Sequence, residues 1–394
     1  MAAKKRIGVV IQLPSGYMHD LVAGVAAEAR LREDWTLRYA GLCDNWIPQL
    51  LDWRPHGLIA CVQEGPLRRL LETGAAAVNV SGARDNVALP TVRVSDAGIG
   101  RLAAEHFLDL HISHFAYWGG HDAHFTTLRG RGFFHALEAR GVRPQQCHAA
   151  PDCSGQAWRR RDAILQRWLR ALPKPVGLLV SQDAQAYYVA DLARQAGLDI
   201  PNAIALLGVD DDRLTCELID PPLSSIRLPA RQVGRQAVQL LERLLAGEPP
   251  PREPILLEPL TVAARGSTDM LAIADGRMAE AVRLMRAGAT EGLRVADLLR
   301  RIPMSRRLFE SRFRGLFGRS PGEELARVRL EHARRLLLDT DWPMSTVAAR
   351  CGLCDAEYLS RLFRRHLGFS PTAYRRLNGR GAEGVTGAAA MASA

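Results

Sequence analysis

The sequence predicts a two-lobed α/β domain with parallel sheets, followed by an all-α domain built on two helix-turn-helix units. Three observations lead there. Strand-like and helix-like segments alternate over residues 6–268, a motif repeats at a fixed offset of fifty residues near the C-terminus, and the chain's positive charge is confined to that repeating segment. At 394 residues the chain exceeds one ordinary domain. Setting aside about 100 residues for the helical module leaves roughly 270, enough for two lobes with a sizeable core.

In the first domain, short apolar runs predict strands at 7–13, 37–40, 58–62, 77–80, 92–94, 115–118, 177–180 and 205–209. Between them, amphipathic segments predict helices near 19–31, 65–73, 98–110, 127–140, 156–171, 184–196 and 230–246. Repeated strand–helix units with buried strands imply parallel sheets covered by helices on both faces. Ligands of such folds gather at the carboxyl ends of the strands. The proline-rich stretch 247–251 reads as a loop, 269–276 as a linker, and the Gly/Ala-rich 379–394 as a disordered tail. The expected domains are therefore 1–268 and 277–378.

The repeat pairs Phe313-Arg314, Gly318 and Ser320-Pro321 with Phe363-Arg364, Gly368 and Ser370-Pro371. Upstream of each copy lies one layout: an apolar-periodic helix (Val295, Leu298, Leu299; Val347, Ala348), a short break (302–304; 352–354) and a capping residue (Ser305; Asp355). In the second helix of each unit the apolar positions fall on one face: Leu308, Phe309, the Arg312 stem and Phe313, then Tyr358, Leu359, Leu362 and Phe363. That leaves Arg307, Glu310, Ser311 and Arg314, and Glu357, Ser360, Arg361 and Arg364, facing outward, where a major groove would meet them. The two glutamates suit that position only by accepting from a cytosine amino group. Residues 277–380 carry 22 Arg and Lys against 11 Asp and Glu, whereas 1–276 balance at 30 against 30. A positive field confined to one helical segment is the footprint of a double-stranded DNA binder, because neutralising phosphates releases counterions.

On these motifs, and on Cys351-Gly352-Leu353, Tyr358-Leu359-Ser360-Arg361-Leu362-Phe363-Arg364 and Tyr374-Arg375 above all, residues 290–376 resemble the double helix-turn-helix domain of the AraC/XylS family of transcription regulators. The resemblance implies that the outward positions of both recognition helices enter successive major-groove segments.

A second resemblance covers the first domain. Val94-Ser95-Asp96, Arg129 with Gly132-Phe133, Val180-Ser181-Gln182-Asp183, Leu207-Gly208-Val209-Asp210-Asp211, Pro221–Arg227 and Arg265-Gly266-Ser267-Thr268 are similar to the periplasmic-binding-protein-like effector domain of LacI-type repressors. That likeness implies that Asp96, Arg129, Asp183 and Asp210 hydrogen-bond sugar hydroxyls, with Asp96 in one lobe and Arg129 and Asp210 in the other. Charged groups give short, directional bonds to hydroxyls. Tyr17 and Asp20, after the first strand, would add a ring and a polar group. An effector domain ahead of two helix-turn-helix units is similar to the xylose-operon regulators within the AraC/XylS group. The likeness to that group implies a sugar-responsive activator of pentose genes, with D-xylose as effector and a homodimer and RNA polymerase contact as its assemblies.

The same residues admit other readings. A sugar-modifying enzyme would use Asp96, Asp183 and Asp210 as acid/base carboxylates, and a constitutive DNA binder would keep a vestigial effector domain. Neither a Gly-x-Ser-x-Gly elbow nor a metal cluster supports catalysis. Gly98-x-Gly100-x-x-Ala103 fits a loose dinucleotide fingerprint but lies outside the first strand–helix unit, so no cofactor is expected. His111/His114 and His121/His124 lack further ligands at metal spacing, and the Asp210–Asp212 run reads as one ligand-facing carboxylate beside solvated neighbours. No apolar run of about 18 residues spans a membrane. Seven scattered cysteines without framework spacing fit a reducing cytoplasm.

Overall fold

A computed structural model describes residues 4–12, 15–40, 46–61, 72, 74–85, 87–120, 123–152, 155–270 and 275–378. Outside them lie Leu13, Val62, most of the helix expected near 65–73, His121, positions 271–274 of the linker and the whole of the tail 379–394. The chain forms two compact units, Met1–Met270 and Leu271–Ala394.

In the first unit, chain order begins with β1 (Lys5–Val10), α1 (Gly16–Ala29), β2 (Trp35–Ala40), α2 (Trp46–Asp52), β3 (Gly57–Ala60), β4 (Ala76–Asn79) and β5 (Val92–Val94). It continues through α3 (Asp96–Asp109), β6 (His114–Trp118), α4 (His124–Glu138), β7 (Cys147–Ala149), α5 (Trp158–Ala171), β8 (Val176–Val180), α6 (Asp183–Gln195) and β9 (Ile204–Asp210). It ends with α7 (Arg213–Leu218), β10 (Ser224–Arg227), α8 (Ala230–Leu245), β11 (Ile255–Leu257) and β12 (Thr261–Ala263).

Two sheets result. One has order β2-β1-β3-β4, all parallel, and a bridge from Asn79 to Thr91 carries it on to the β5-β11 pair. The other has order β12-β10-β9-β8-β6-β7, parallel except at β12. The strands β8 and β9 are buried nearly throughout, as a parallel sheet covered on both faces requires. Helices α1 and α8 pack together beside the first sheet; α3 and α4 pack together on the second, where Phe133 meets Phe107 and Phe115. The two-lobed, periplasmic-binding-protein-like α/β architecture is thus present, with β7, β10, β11, β12, α2 and α7 added to the elements legible in the sequence.

The second unit is helical: α9 (Gly276–Gly288), α10 (Val295–Arg301), α11 (Arg306–Phe317), α12 (Pro321–Asp339), α13 (Met344–Arg350), α14 (Ala356–Leu367) and α15 (Pro371–Asn378). Caps account for its boundaries. Ser305 accepts from Leu308 N and Asp355 from Tyr358 N, which starts α11 and α14. Gly318 and Gly368, at φ 66° and 75°, end them in the left-handed conformation that glycine adopts without strain. Ser320 and Ser370 then cap α12 and α15, each followed by proline at the first helical position. Phe309, Phe313, Leu298 and Met285 form the core of the first helix-turn-helix; Phe363, Leu359, Val347 and Leu337 are buried in the second. No helix among the described residues is long and apolar enough to cross a membrane.

Candidate effector cleft and DNA-reading helices

Apart from Arg129, which lies within α4, the groups at the cleft follow, or nearly end, parallel strands. Tyr17 comes after β1, Cys61 after β3, Asp96 after β5, Gln182 after β8, and Asp210 closes β9, while Tyr117 is the penultimate residue of β6. At the centre is a buried ion pair: Arg129 Nε lies 3.0 Å from Asp96 Oδ1, and Arg93 Nη1 lies 2.5 Å from Asp96 Oδ2. Arg129 also donates to the Ser181 carbonyl and stacks its guanidinium 4.6 Å from the Phe125 ring centroid. Burial alone would make the Arg129 guanidinium easier to deprotonate, but the negative charges of Asp96 and Asp210 outweigh that and fix it as a cation.

Asp210 is a carboxylate whose protonation is strongly affected by this setting. Burial pushes its carboxyl up to about 7; Arg129 pulls it down, Asp212 pushes it up, and Gln182 donates to it. Its backbone is strained as well, with φ at 114° followed by Asp211 at 53°, a conformation that places two successive non-glycine residues in the left-handed half of the map. Tyr17 faces the same groups. Its phenol is raised by burial and then by the neighbouring Cys61 and Asp210, with Arg129 opposing. Burial lifts the Cys61 thiol to about 12. The Tyr117 phenol, raised chiefly by burial, donates to the Thr126 carbonyl at 2.6 Å.

The structure therefore brings together Tyr17, Asp96, Arg129 and Asp210, and it treats Asp20 and Asp183 differently. Asp20 pairs with Arg231 at 3.2 Å, joining α1 to α8 inside the first lobe. Asp183 is 1% exposed. Its oxygens accept from Ser225 Oγ (2.6 Å) and Asp212 N (2.8 Å), so it braces the ends of β9 and β10 rather than presenting a free carboxylate.

Placement departs from the sequence expectation in two further respects. Asp96 and Arg129 do not lie in opposite lobes, because α3 and α4 are packed neighbours. A Cβ on Gly100 would come within 2.2 Å of Phe133 N and one on Gly132 within 2.6 Å of Ala97 Cα, so these glycines permit the contact. That packing accounts for Gly100, while Gly98 faces Glu258 and Pro259, where a Cβ would come within 2.4 Å of Glu258 Oε2 and 2.9 Å of Pro259 Cδ; close packing, and not a phosphate cradle, explains both glycines. Nor are the neighbours of Asp210 solvated: Asp211 is clamped by Arg227 (2.5 Å) and Arg265 (2.6 Å), and Asp212 caps α7. His114 begins β6, at the end of the sheet away from the cleft.

On α11 and α14 the outward residues are arranged around one position each. At about 100° per residue, Ser311 lies opposite the buried Phe309 and Phe313, and Arg361 opposite Leu359 and Phe363. Arg307, Arg314, Glu357 and Arg364 are exposed; Glu310 and Ser360 are half-buried on the flank. Glu310 is held by Arg306 at 2.8 Å. Leu308 departs from the apolar face assigned to it from periodicity: it is 45% exposed and points outward. The guanidinium of Arg361 lies 5.6 Å from the Tyr358 ring centroid.

Residues 298–377 match the helix-turn-helix domain family, and residues 104–268 match the periplasmic binding protein-like domain family. The xylose operon regulatory protein of Escherichia coli K12 is 26% identical over 387 residues, 95% of this chain and 98% of that protein. Its counterpart in Haemophilus influenzae is 25% identical over 289 residues, 73% and 74% of the two chains. Among solved structures, the xylose-binding transcription activator XylR superposes with a TM-score of 0.60 at 24% identity, covering 96% of this chain and 99% of that one. The two matched domains and the likeness along 95% of the chain make it a DNA-binding transcription regulator, similar to the AraC-type xylose regulators.

The regulator's cleft contains three groups that sequence patterns do not single out, Cys61, Tyr117 and Gln182. Gln182 adjoins Asp183, and charge favours the aspartate as the expected sugar partner. Position does not separate them, since Asp96 and Asp183 each open a helix directly after a strand; what separates them is that Ser225 and the Asp212 N–H already engage Asp183.

Proposed function

We propose that the protein is a cytoplasmic, sugar-responsive activator of pentose catabolism genes, with D-xylose or a close pentose as effector, acting as a homodimer that contacts RNA polymerase and catalysing no reaction. The observation that carries this reading is the convergence of Tyr17, Asp96, Arg129 and Asp210 at strand ends, with Tyr17 on the first lobe and the other three on or against the second. A ligand bonded to Asp210 and to the Tyr17 side of the cleft favours closure, because only the closed form supplies both sets of groups.

The chemistry suits a neutral polyol. Asp210 accepts from hydroxyls, Arg129 donates, and a carboxylate ligand would meet Asp96 and Asp210 against a guanidinium already paired. Asp183 and Asp20 act behind this shell by fixing the backbone and α1. An acid/base pair for hydrolysis is poorly served by the same residues, since Asp96 is held between two arginines and Asp183 is engaged within its lobe. The likeness to the E. coli xylose regulator over 95% of the chain supports the choice of pentose.

In this reading residues 1–268 sense, 269–276 link, and 277–378 bind DNA through Arg307, Ser311, Arg314, Glu357, Ser360, Arg361 and Arg364, with Glu310 orienting Arg306. Thermal-shift titration against pentoses, hexoses and aldonic acids tests it. Stabilisation by D-xylose and not by D-xylonate, lost in Asp210→Ala, is expected; a preference for the acid, or an unchanged response in Asp210→Ala, would refute the assignment.

A further inference from the structure

The two recognition helices are copies offset by fifty residues, so their outward positions correspond one to one, and their chemistry differs. On α14 the row facing outward is Tyr358, Arg361 and Arg365; on α11 the same places hold Leu308, Ser311 and Gly315. The second row is long and cationic, with Arg361 leaning on Tyr358. The first is short and apolar. Leu308 is 45% exposed there, and a Cβ built on Gly315 would meet nothing within 4 Å, so the backbone of α11 is open along this row.

Base pairs in the major groove offer a matching contrast. Guanine presents two acceptors that a guanidinium reads bidentately, whereas the apolar feature of the groove is the C5-methyl of thymine. Recognition helices reach base edges with their N-terminal residues, and Leu308 is the third residue of α11. Ser311 and Gly315, one turn and two turns on, put no long side chain between the helix and the bases, so a medium-sized apolar side chain can reach the groove floor.

We propose that Leu308 is a specificity-determining residue that contacts the 5-methyl group of a thymine in the major-groove segment read by α11. The two heads then read different halves of the operator, α11 a thymine and α14 a guanine. This rests on the reading of α11 as a recognition helix.

The test uses the full chain and a duplex that the chain itself selects from a random pool. Each thymine is replaced in turn by deoxyuridine, which removes only the methyl group. The wild type should lose about fourfold in affinity at a thymine in one half of the site, the value of one methyl taken out of water. Leu308→Ala should bind the thymine and deoxyuridine duplexes equally, and Leu308→Met should restore the preference. A wild type indifferent to every replacement overturns the proposal, as does Leu308→Ala that keeps the wild-type thymine-to-uracil ratio. A changed melting temperature with an unchanged ratio also overturns it, placing Leu308 against protein instead. If Arg307→Ala leaves sequence preference intact, α11 is not in the groove, and the underlying reading falls separately.

Discussion

Gly16 and Asp212 meet across the cleft: the Gly16 N–H donates to Asp212 Oδ2 at 3.0 Å. Gly16 opens α1 of the first lobe, and Asp212 follows β9 of the second, so this bond ties the two lobes together at the cleft. A carboxylate at a helix N-terminus contributes about 0.3–1 kcal/mol. Asp212 also caps α7 by accepting from Thr215 N, a role that asparagine fills about as well. Asp212→Asn should therefore fold normally, bind DNA without effector as the wild type does, and bind D-xylose about two- to fivefold more weakly by calorimetry. Unchanged affinity would mean that the bond does not help closure.

The raised carboxyl of Asp210 gives a pH dependence with a definite sign. Its folded value of about 7 lies above that of an unfolded chain, near 3.8, so between these pH values the folded state holds the proton that the unfolded state has lost. Stability of the ligand-free protein from this group therefore falls as pH rises from about 4 to about 7 and is flat above. Asp210→Asn should flatten that slope in melting experiments. Sugar hydroxyls favour the ionised acceptor, so effector affinity should rise with pH through about 7 in the wild type alone. Calorimetry in buffers of different ionisation enthalpy would register the released proton.

Both architectures are legible in the sequence, and the features that are not have identifiable causes. Periodicity and the fifty-residue repeat locate the two domains, because buried strands and capped helices depend on local patterns. Short strands such as Cys147–Ala149 and Ile255–Leu257 escape although the equally short Val92–Val94 does not: Cys-His-Ala is no apolar run, and Ile-Leu-Leu lies between Pro254 and Pro259 beside a proline-rich loop. Asp210, Arg129 and Asp96 are readable as charged residues beside strand ends. Their partition between lobes is not, since the chain crosses directly after Val94 and glycine contacts between α3 and α4 decide where Asp96 docks. Leu308 eludes periodicity for a related reason: apolar residues sit on the buried face by default, and only accessibility shows an exception.

Glu324 is the buried charge of the DNA-binding unit, on the helix that joins its halves. It is 2% exposed and pairs with Arg319 at 2.6 Å and Arg327 at 2.7 Å. Burial alone would raise its carboxyl, but hydrogen bonds from Arg327 and the charge of both arginines hold it at about 2. A depressed acid contributes stability that is complete above the unfolded value, near 4.5, and is lost as pH falls toward 2. Glu324→Gln removes the charge from both bonds and should destabilise this unit by about 1–3 kcal/mol at neutral pH. Hydrogen exchange along α12 reads the effect locally; protection equal to the wild type would contradict it.

Arg361 and Arg364 should separate reading from holding. Arg361 lies opposite the buried stripe of α14, steadied by the Tyr358 ring, and is the side chain best placed for a guanine edge. Arg364 lies about one turn further along and toward the flank, nearer the position of a phosphate. Arg361→Ala should cost on the order of 1–3 kcal/mol on the selected site and relax preference at one base pair, with little loss on random DNA. Arg364→Ala should weaken both by the same factor and reduce the salt dependence by about one counterion. Affinities at several salt concentrations, on selected and random duplexes, distinguish the two. Equal losses on both duplexes for Arg361→Ala would move it to the phosphate backbone, and the guanine contact would then have to come from Arg365, one turn further along the same exposed face.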